Sequence, residues 1–234
     1  MTKLAIIPAR GGSKRIPKKN IRPFLNKPII VYSIEAALNS HLFDEVMVST
    51  DDDEIASIAI AHGAKVPFRR STKNADDVAV LADVVDEVLT AYKNKGFFFD
   101  SICCILPTAP FVSASILEKS YKKMVNNDFD SIFPIMEFSF PIQRSLKISD
   151  NKVRMVWEEH LNTRSQDLDA RYHDAGQFYW LNVGTFLEEK KLFMNNSGGI
   201  VISELETQDI DSETDWRLAE LKYKLLIDEK NNTF

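Results

Sequence analysis

Along most of this chain, apolar runs of four to six residues alternate with longer segments of helical periodicity. That rhythm restricts the fold more than any single residue does. The strand-like runs lie at 4–9, 45–49, 65–68, 101–106, 131–136, 177–182 and 199–203. Between them, 28–40, 52–62, 78–93, 113–126 and 185–194 read as helices. The segment 78–93 is typical, with apolar residues at 78, 81, 84, 85, 88 and 89 along one helical face. Ser212 opens a last helix, with Asp215 placed three residues on as its capping-box partner. Strand–helix repetition of this kind predicts an α/β fold, a mostly parallel sheet with helices on both faces. At 234 residues and 44% hydrophobic content, the chain can bury a full core as a single domain over 1–234.

The rhythm breaks between Glu137 and Tyr172, where Phe138, Phe140, Trp157 and four arginines follow no clear period. This stretch, 137–172, reads as an inserted lobe that covers a site, contacts a second subunit, or does both. No apolar run approaches the ~18 residues of a membrane span, and the run 4–9 is too short for a secretion signal. A soluble cytoplasmic protein with no membrane partner is expected. Cys103 and Cys104 are adjacent, a spacing that suits buried strand positions better than metal or redox chemistry.

The first 34 residues hold eight Lys and Arg and no Asp or Glu, on a chain whose formal net charge is −5. Five of those cations crowd into the loop after the first strand, which begins Arg10-Gly11-Gly12-Ser13-Lys14-Arg15 and continues to Lys18, Lys19 and Asn20. Charged loops are commonly just solvated. Here the paired glycines, the preceding strand and the lack of nearby acids point instead to a cradle for a polyanion such as a triphosphate. The pattern is neither GxxxxGK[ST] nor GxGxxG. A single basic loop on an acidic chain argues against nucleic acid as the partner.

Two acidic groups complete the pattern. In Gln208-Asp-Ile-Asp-Ser212, an extended backbone would set Asp209 and Asp211 on one side with Ile210 packed inward. Paired carboxylates suit Mg²⁺, which shares its coordination with waters and phosphates; the plainer reading is an acidic turn capping the last helix. In Ser49-Thr-Asp-Asp-Asp53, the second and third acids suit the start of the next helix, which leaves Asp51 to line the cleft.

The opening IPARGGSKRIPKKN, with VSTDDDEIA and the later DIDSETDW, resembles the cytidylyltransferases that activate nonulosonic acids, relatives of the CMP-sialic acid synthetases. Similar motifs run in the family's order over almost the full length. FPIQR, NTRSQDL and YHDAGQFYW are similar to the branch that acts on pseudaminic acid. The resemblance implies a Rossmann-like nucleotidyltransferase fold, CTP as substrate, Mg²⁺, and a homodimer joined through the inserted lobe. It assigns phosphate handling to Arg10, Ser13, Lys14 and Lys19, the cytidine end to Asn20 and Arg70, the metal to Asp209 and Asp211, and the sugar side to Arg164. One departure stands out: Leu106 precedes Pro107-Thr-Ala-Pro110 where the sialic acid enzymes carry Gln. An aliphatic group there removes a sugar hydrogen bond and suits a different nonulosonate.

These residues imply a mechanism. Lys19, Arg10 and Lys14 would offset the repulsion between an anionic sugar acid and the triphosphate and stabilise the pentacoordinate transition state. Arg164 would clamp the sugar carboxylate. For the less hydroxylated pseudaminic acid, the expected pocket draws on Leu106, Phe140, Phe178, Tyr179 and Trp180, with Gln143, His173 and Gln177 as donors. On a strand, one pair of 177–180 must face away from it. Transfer to legionaminic or sialic acid is the alternative within this class. A nucleotide-binding regulator without catalysis is the alternative outside it, and pyrophosphate release separates the two.

Overall fold

The computed structural model describes residues 1–76 and 79–232. In chain order the strands are β1 (Lys3–Pro8), β2 (Pro23–Phe24), β3 (Lys27–Pro28), β4 (Glu45–Ser49), β5 (Ser101–Ile105), β6 (Ser131–Glu137), β7 (Leu146–Ser149), β8 (Lys152–Met155), β9 (Tyr172–Asp174), β10 (Phe178–Asn182) and β11 (Ser197–Val201). The helices are α1 (Ile29–Asn39), α2 (Asp53–Ala61), α3 (Leu81–Asn94), α4 (Ala114–Asn126), α5 (Val183–Glu189) and α6 (Glu213–Asn232).

Why β1 is central follows from its side chains. Ala5 and Ile7 point into one buried cluster with α1, α2 and α4, while Leu4 and Ile6 point into another with α3 and α5. A strand apolar on both faces has to be covered on both. The main sheet runs β11-β6-β10-β5-β1-β4, with β9 also paired to β6. β1, β4 and β5 are mutually parallel, as are β6 and β11; β9 and β10 run against them. The expected α/β layering is present, with this one reversed segment. The chain leaves β1 for β4 on one side and then crosses to β5 on the other, so a crevice opens at the carboxyl ends of β1 and β5.

The reversed segment has a simple origin. Glu137 at the end of β6 pairs with Tyr172 at the start of β9, so the residues between leave the sheet and return to it at one point. Three steps along β6, from Ile135 to Ile132, match six along the returning strand, from Asp174 to Trp180. The surplus forms a bulge at 175–177, where Gly176 takes φ +62°. Within the excursion, β7 and β8 form a hairpin closed by Asp150 and Asn151, both at positive φ as a two-residue turn requires. Its register sets Leu146, Ile148, Val153 and Met155 on one face and Lys147, Ser149, Lys152 and Arg154 on the other. The apolar face is open to solvent, with Ile148 77% exposed.

Three sequence expectations need adjustment. Segment 65–68 makes a lone parallel bridge, Lys65 to Met47, because Pro67 has no N–H to extend a ladder. The helix expected at 185–194 stops at Glu189, where Lys190 turns left-handed at φ 53°. α3 begins at Leu81, and the expected helical position at Val78 lies outside the described residues. Cys103 and Cys104 are buried and unbonded on β5. No described helix is long and apolar enough to cross a membrane.

Candidate active site

The basic loop leaves β1 at the crevice and is tied down at both ends and in the middle. The Gly11 N–H donates to Asp51 Oδ1 at 3.0 Å, and Asn20 Nδ2 donates to the Arg10 carbonyl at 2.9 Å. Ile16 is fully buried against Phe24, Ile29, Ile210 and Trp216, so an apolar peg fixes the centre of a highly charged segment. The two glycines differ in what they contribute. A Cβ on Gly11 would stand 2.7 Å from Asp52 Oδ2, whereas one on Gly12 would meet nothing within 4 Å. Neither supplies left-handed backbone; Lys18 does, at φ 50°. Gly11 is there for close packing.

A cavity of about 480 Å³ opens beside this loop, lined by Arg10, Ser13, Lys14, Arg15, Lys19 and Asn20 and floored by Arg70. Arg70 is 7% exposed; its Nε donates to Ser49 Oγ at 3.0 Å and its guanidinium also reaches the Ser49 carbonyl. Burial lowers its pKa, and the Asp51 carboxylate opposes that shift, so a buried cation is kept at the base of the cavity. The three adjacent acids divide their tasks. Asp52 caps α2 by accepting from the Ile55 N–H at 2.9 Å, Asp53 pairs with Arg69, and Asp51 holds the loop.

The second carboxylate group sits across from the loop. Ile210 is buried, and Asp209 and Asp211 flank it as an extended backbone demands. Neither caps α6. Asp215 does that, accepting from the Ser212 N–H and Oγ–H, both at 2.7 Å, and from the Asp211 N–H at 3.1 Å. Asp211 instead faces the loop, 2.6 Å from Arg15 and 3.6 Å from Lys19. Asp209 lines a second cavity of about 590 Å³ with Leu106, Met136, His173, Asp174, Leu218 and Lys222. The carboxylate pair therefore touches both cavities' residues, Asp211 through the cations of the first and Asp209 as part of the second. Among the described residues no three His, Cys, Asp or Glu side chains gather into a metal cage. A cation held by Asp209 and Asp211 would complete its shell with phosphate and water, which suits Mg²⁺.

The residues expected around a sugar are dispersed. Leu106 and His173 line the second cavity. His173 Nδ1 lies 2.8 Å from the Asp174 carbonyl, which can only accept, so the neutral ring turns an acceptor nitrogen outward and not a donor. Tyr179 is buried and donates to Asp174 Oδ2; burial and then Asp174 push its phenol far up, which keeps it a donor. Phe178 and Trp180 belong to the core beneath α1 and α4. Gln177 donates to the Glu206 carbonyl and Gln143 to that of Asp169, both side chains being buried. Phe140 and Arg164 lie on the lobe, and Arg164 pairs with Asp167 at 2.8 Å. Arg15, Asp174 and Lys222 are the residues that sequence reasoning left out of the site. Arg15 was visible in the loop's charge, whereas nothing local separates Lys222 from the other lysines of α6.

The family model for cytidylyltransferases matches residues 4–218. The pseudaminic acid cytidylyltransferase of Campylobacter jejuni subsp. jejuni serotype O:2 is 44% identical over 226 residues, 96% of this chain and 97% of that protein. The CMP-N,N'-diacetyllegionaminic acid synthase of Legionella pneumophila subsp. pneumophila is 32% identical, covering 93% and 94%. Among solved structures, CMP:2-keto-3-deoxy-manno-octonic acid synthetase complexed with CTP superposes with a TM-score of 0.69 at 17% identity, over 97% of this chain and 100% of that one. At that identity the likeness speaks for the fold.

Proposed function

This chain belongs to the cytidylyltransferase family, and on that premise we propose that it joins CMP from CTP to a nonulosonic acid, pseudaminic acid above others, and releases pyrophosphate. One observation carries the reading: Asp211 meets the cations of the triphosphate-sized cavity while Asp209, two residues away, lines the neighbouring one. Two substrates seated in those cavities would meet over the carboxylate pair.

In the proposed reaction the anomeric hydroxyl oxygen attacks the α-phosphorus. A new P–O bond forms, the bond from the α-phosphorus to the oxygen bridging it to the β-phosphate breaks, the hydroxyl proton is lost, and pyrophosphate departs. Arg10, Ser13, Lys14 and Lys19 hold the phosphates, and Gly11, its N–H taken by Asp51, shapes the loop around them. Lys19, only 17% exposed at its side chain, is the best shielded partner of Asp211 and is placed to stabilise charge in the transition state. Asn20 and Arg70 face the nucleoside, and Asp51 keeps the loop in register. Asp209 and Asp211 would hold Mg²⁺, which when bound supplies charge neutralisation on the triphosphate.

The second cavity takes the sugar. Leu106, Met136 and Leu218 give it an apolar side, suited to a nonulosonate that ends in a methyl and carries acylamino groups in place of hydroxyls. The lobe bearing Arg164, Gln143 and Phe140 would complete the site from above. The open apolar face of the β7–β8 hairpin supports a homodimer formed through the lobe, and a reaction that consumes CTP suits the cytoplasm.

The test is incubation with CTP, Mg²⁺ and pseudaminic, legionaminic and sialic acids, following pyrophosphate and the CMP-sugar formed. CMP-pseudaminic acid is expected to form with clear preference. Equal or faster reaction with sialic acid would refute the branch assignment, and no pyrophosphate with any of the three would refute the enzyme reading.

A further inference from the structure

Every nonulosonic acid brings a carboxylate on the same carbon as the attacking hydroxyl. The cation that binds it must therefore lie close to the metal carboxylates. Arg164, exposed on the lobe and paired with Asp167, does not line the second cavity in this chain. Lys222 does. Of the residues lining the second cavity it is the one Lys or Arg, and it shares a face of α6 with Leu218, four residues earlier.

The ammonium of Lys222 is held in place, donating to the carbonyls of Glu204 at 2.9 Å and Thr207 at 3.0 Å. Thr207 is two residues before Asp209, a backbone span of roughly 7 Å at most. An ammonium has three protons; two serve the carbonyls, and one remains for an anion. The rest of the charged lining is negative, with Asp174, Glu204 and Asp209, and His173 turns an acceptor toward the cavity when neutral. Without Lys222 this lining would repel a sugar acid.

We propose that Lys222 binds the carboxylate of the sugar acid and so aims the anomeric hydroxyl at the α-phosphorus. The proposal rests on the second cavity being the sugar site. Its competitor is a purely structural role, in which Lys222 only fastens the 204–207 turn that leads to Asp209.

The two roles separate on a substrate that lacks the charge. Pyrophosphate release is measured with pseudaminic acid and with its C1 carboxamide, at saturating CTP, for wild type, K222M, K222Q, K222R and R164A. Loss of a charge-assisted hydrogen bond predicts that K222M lowers kcat/KM for the acid by roughly 10- to 100-fold. The KM for CTP should stay within about twofold, and the preference for acid over carboxamide should collapse. K222Q keeps a donor for the carbonyls without the charge and carries the same expectation should K222M fail to fold. K222R retains most of the preference. A K222M or K222Q enzyme that still prefers the acid as wild type does overturns the proposal, as does loss of that preference in R164A alone. A wild-type enzyme that turns over none of the nonulosonates overturns the sugar-site reading beneath it, which is a different result from an active enzyme indifferent to Lys222.

Discussion

Gly11 offers a stringent test of how the phosphate loop is built. Replacing it with alanine sets a Cβ 2.7 Å from Asp52 Oδ2, and ordinary contact begins near 3.4 Å. Either the Asp52 side chain or the loop must move by about 0.7 Å, the difference between those two distances. If Asp52 moves, its 2.9 Å bond from the Ile55 N–H is stretched out of range and α2 loses its cap, at a cost of about 1 kcal/mol. If the loop moves instead, the Gly11 N–H leaves Asp51, and a bond to a carboxylate is worth about 1.5–3 kcal/mol. The expected destabilisation is therefore about 1–3 kcal/mol, with the melting temperature falling about 2–4 °C for each kcal/mol in a chain of this size. The assay is a double-mutant cycle by urea unfolding with G11A, D52A and the pair. D52A removes the cap and the carboxyl atoms of the clash while keeping its own Cβ, 3.0 Å from the new one, so adding G11A to it should cost less than G11A costs alone. Strict additivity of the two changes would refute the reasoning, because it would mean that the two side chains do not compete for the same space. A neutral G11A would refute it as well. The companion G12A, whose Cβ meets nothing, should leave stability within about 0.5 kcal/mol.

Asp211→Ala should abolish turnover with the melting curve intact, since the carboxylate caps nothing and Asp215 holds the helix start; near-wild-type turnover at limiting Mg²⁺ would sink the metal assignment. Lys19→Ala should lower turnover by about two to three orders of magnitude, as for a lost preorganised donor, and an effect confined to the sugar KM would place Lys19 on the wrong substrate. Glu87 supplies a pH test. Burial raises its pKa, but hydrogen bonds from the Ser71 N–H and Oγ–H and from Asn74 outweigh burial and leave it below the usual 4.5. A depressed carboxylate contributes stability that is complete above its unfolded pKa and is lost as pH falls through the folded value. Glu87→Gln should therefore flatten the acid limb of a stability–pH profile below about pH 4.5, and an unchanged limb would show that Glu87 is not a stabilising carboxylate.

Much of this molecule was legible before any coordinates. The alternation of apolar faces in β1, the capping pair Ser212 and Asp215, and the inward Ile210 between two outward aspartates are all local patterns, set by the two-residue period of a strand or by the first turn of a helix. Asp52 and Asp53 at the start of α2 likewise followed from their distance to a helix start. The stretch without periodicity, from Glu137 to Tyr172, begins and ends on residues that pair in the sheet.

What sequence could not supply was long-range placement. The strand at 177–182 is threaded between β5 and β6, which buries both its faces, Phe178 and Trp180 in one cluster and Tyr179 and Leu181 in the other. Gln143 and Gln177 each give an amide proton to a backbone carbonyl, 26 and 29 residues away, which no local pattern announces. Lys222 was one lysine among several on a long helix until tertiary packing set it against the carbonyls of Glu204 and Thr207. Periodicity reports which way a side chain points from its own strand or helix. Only the folded chain decides which distant backbone group stands there to meet it.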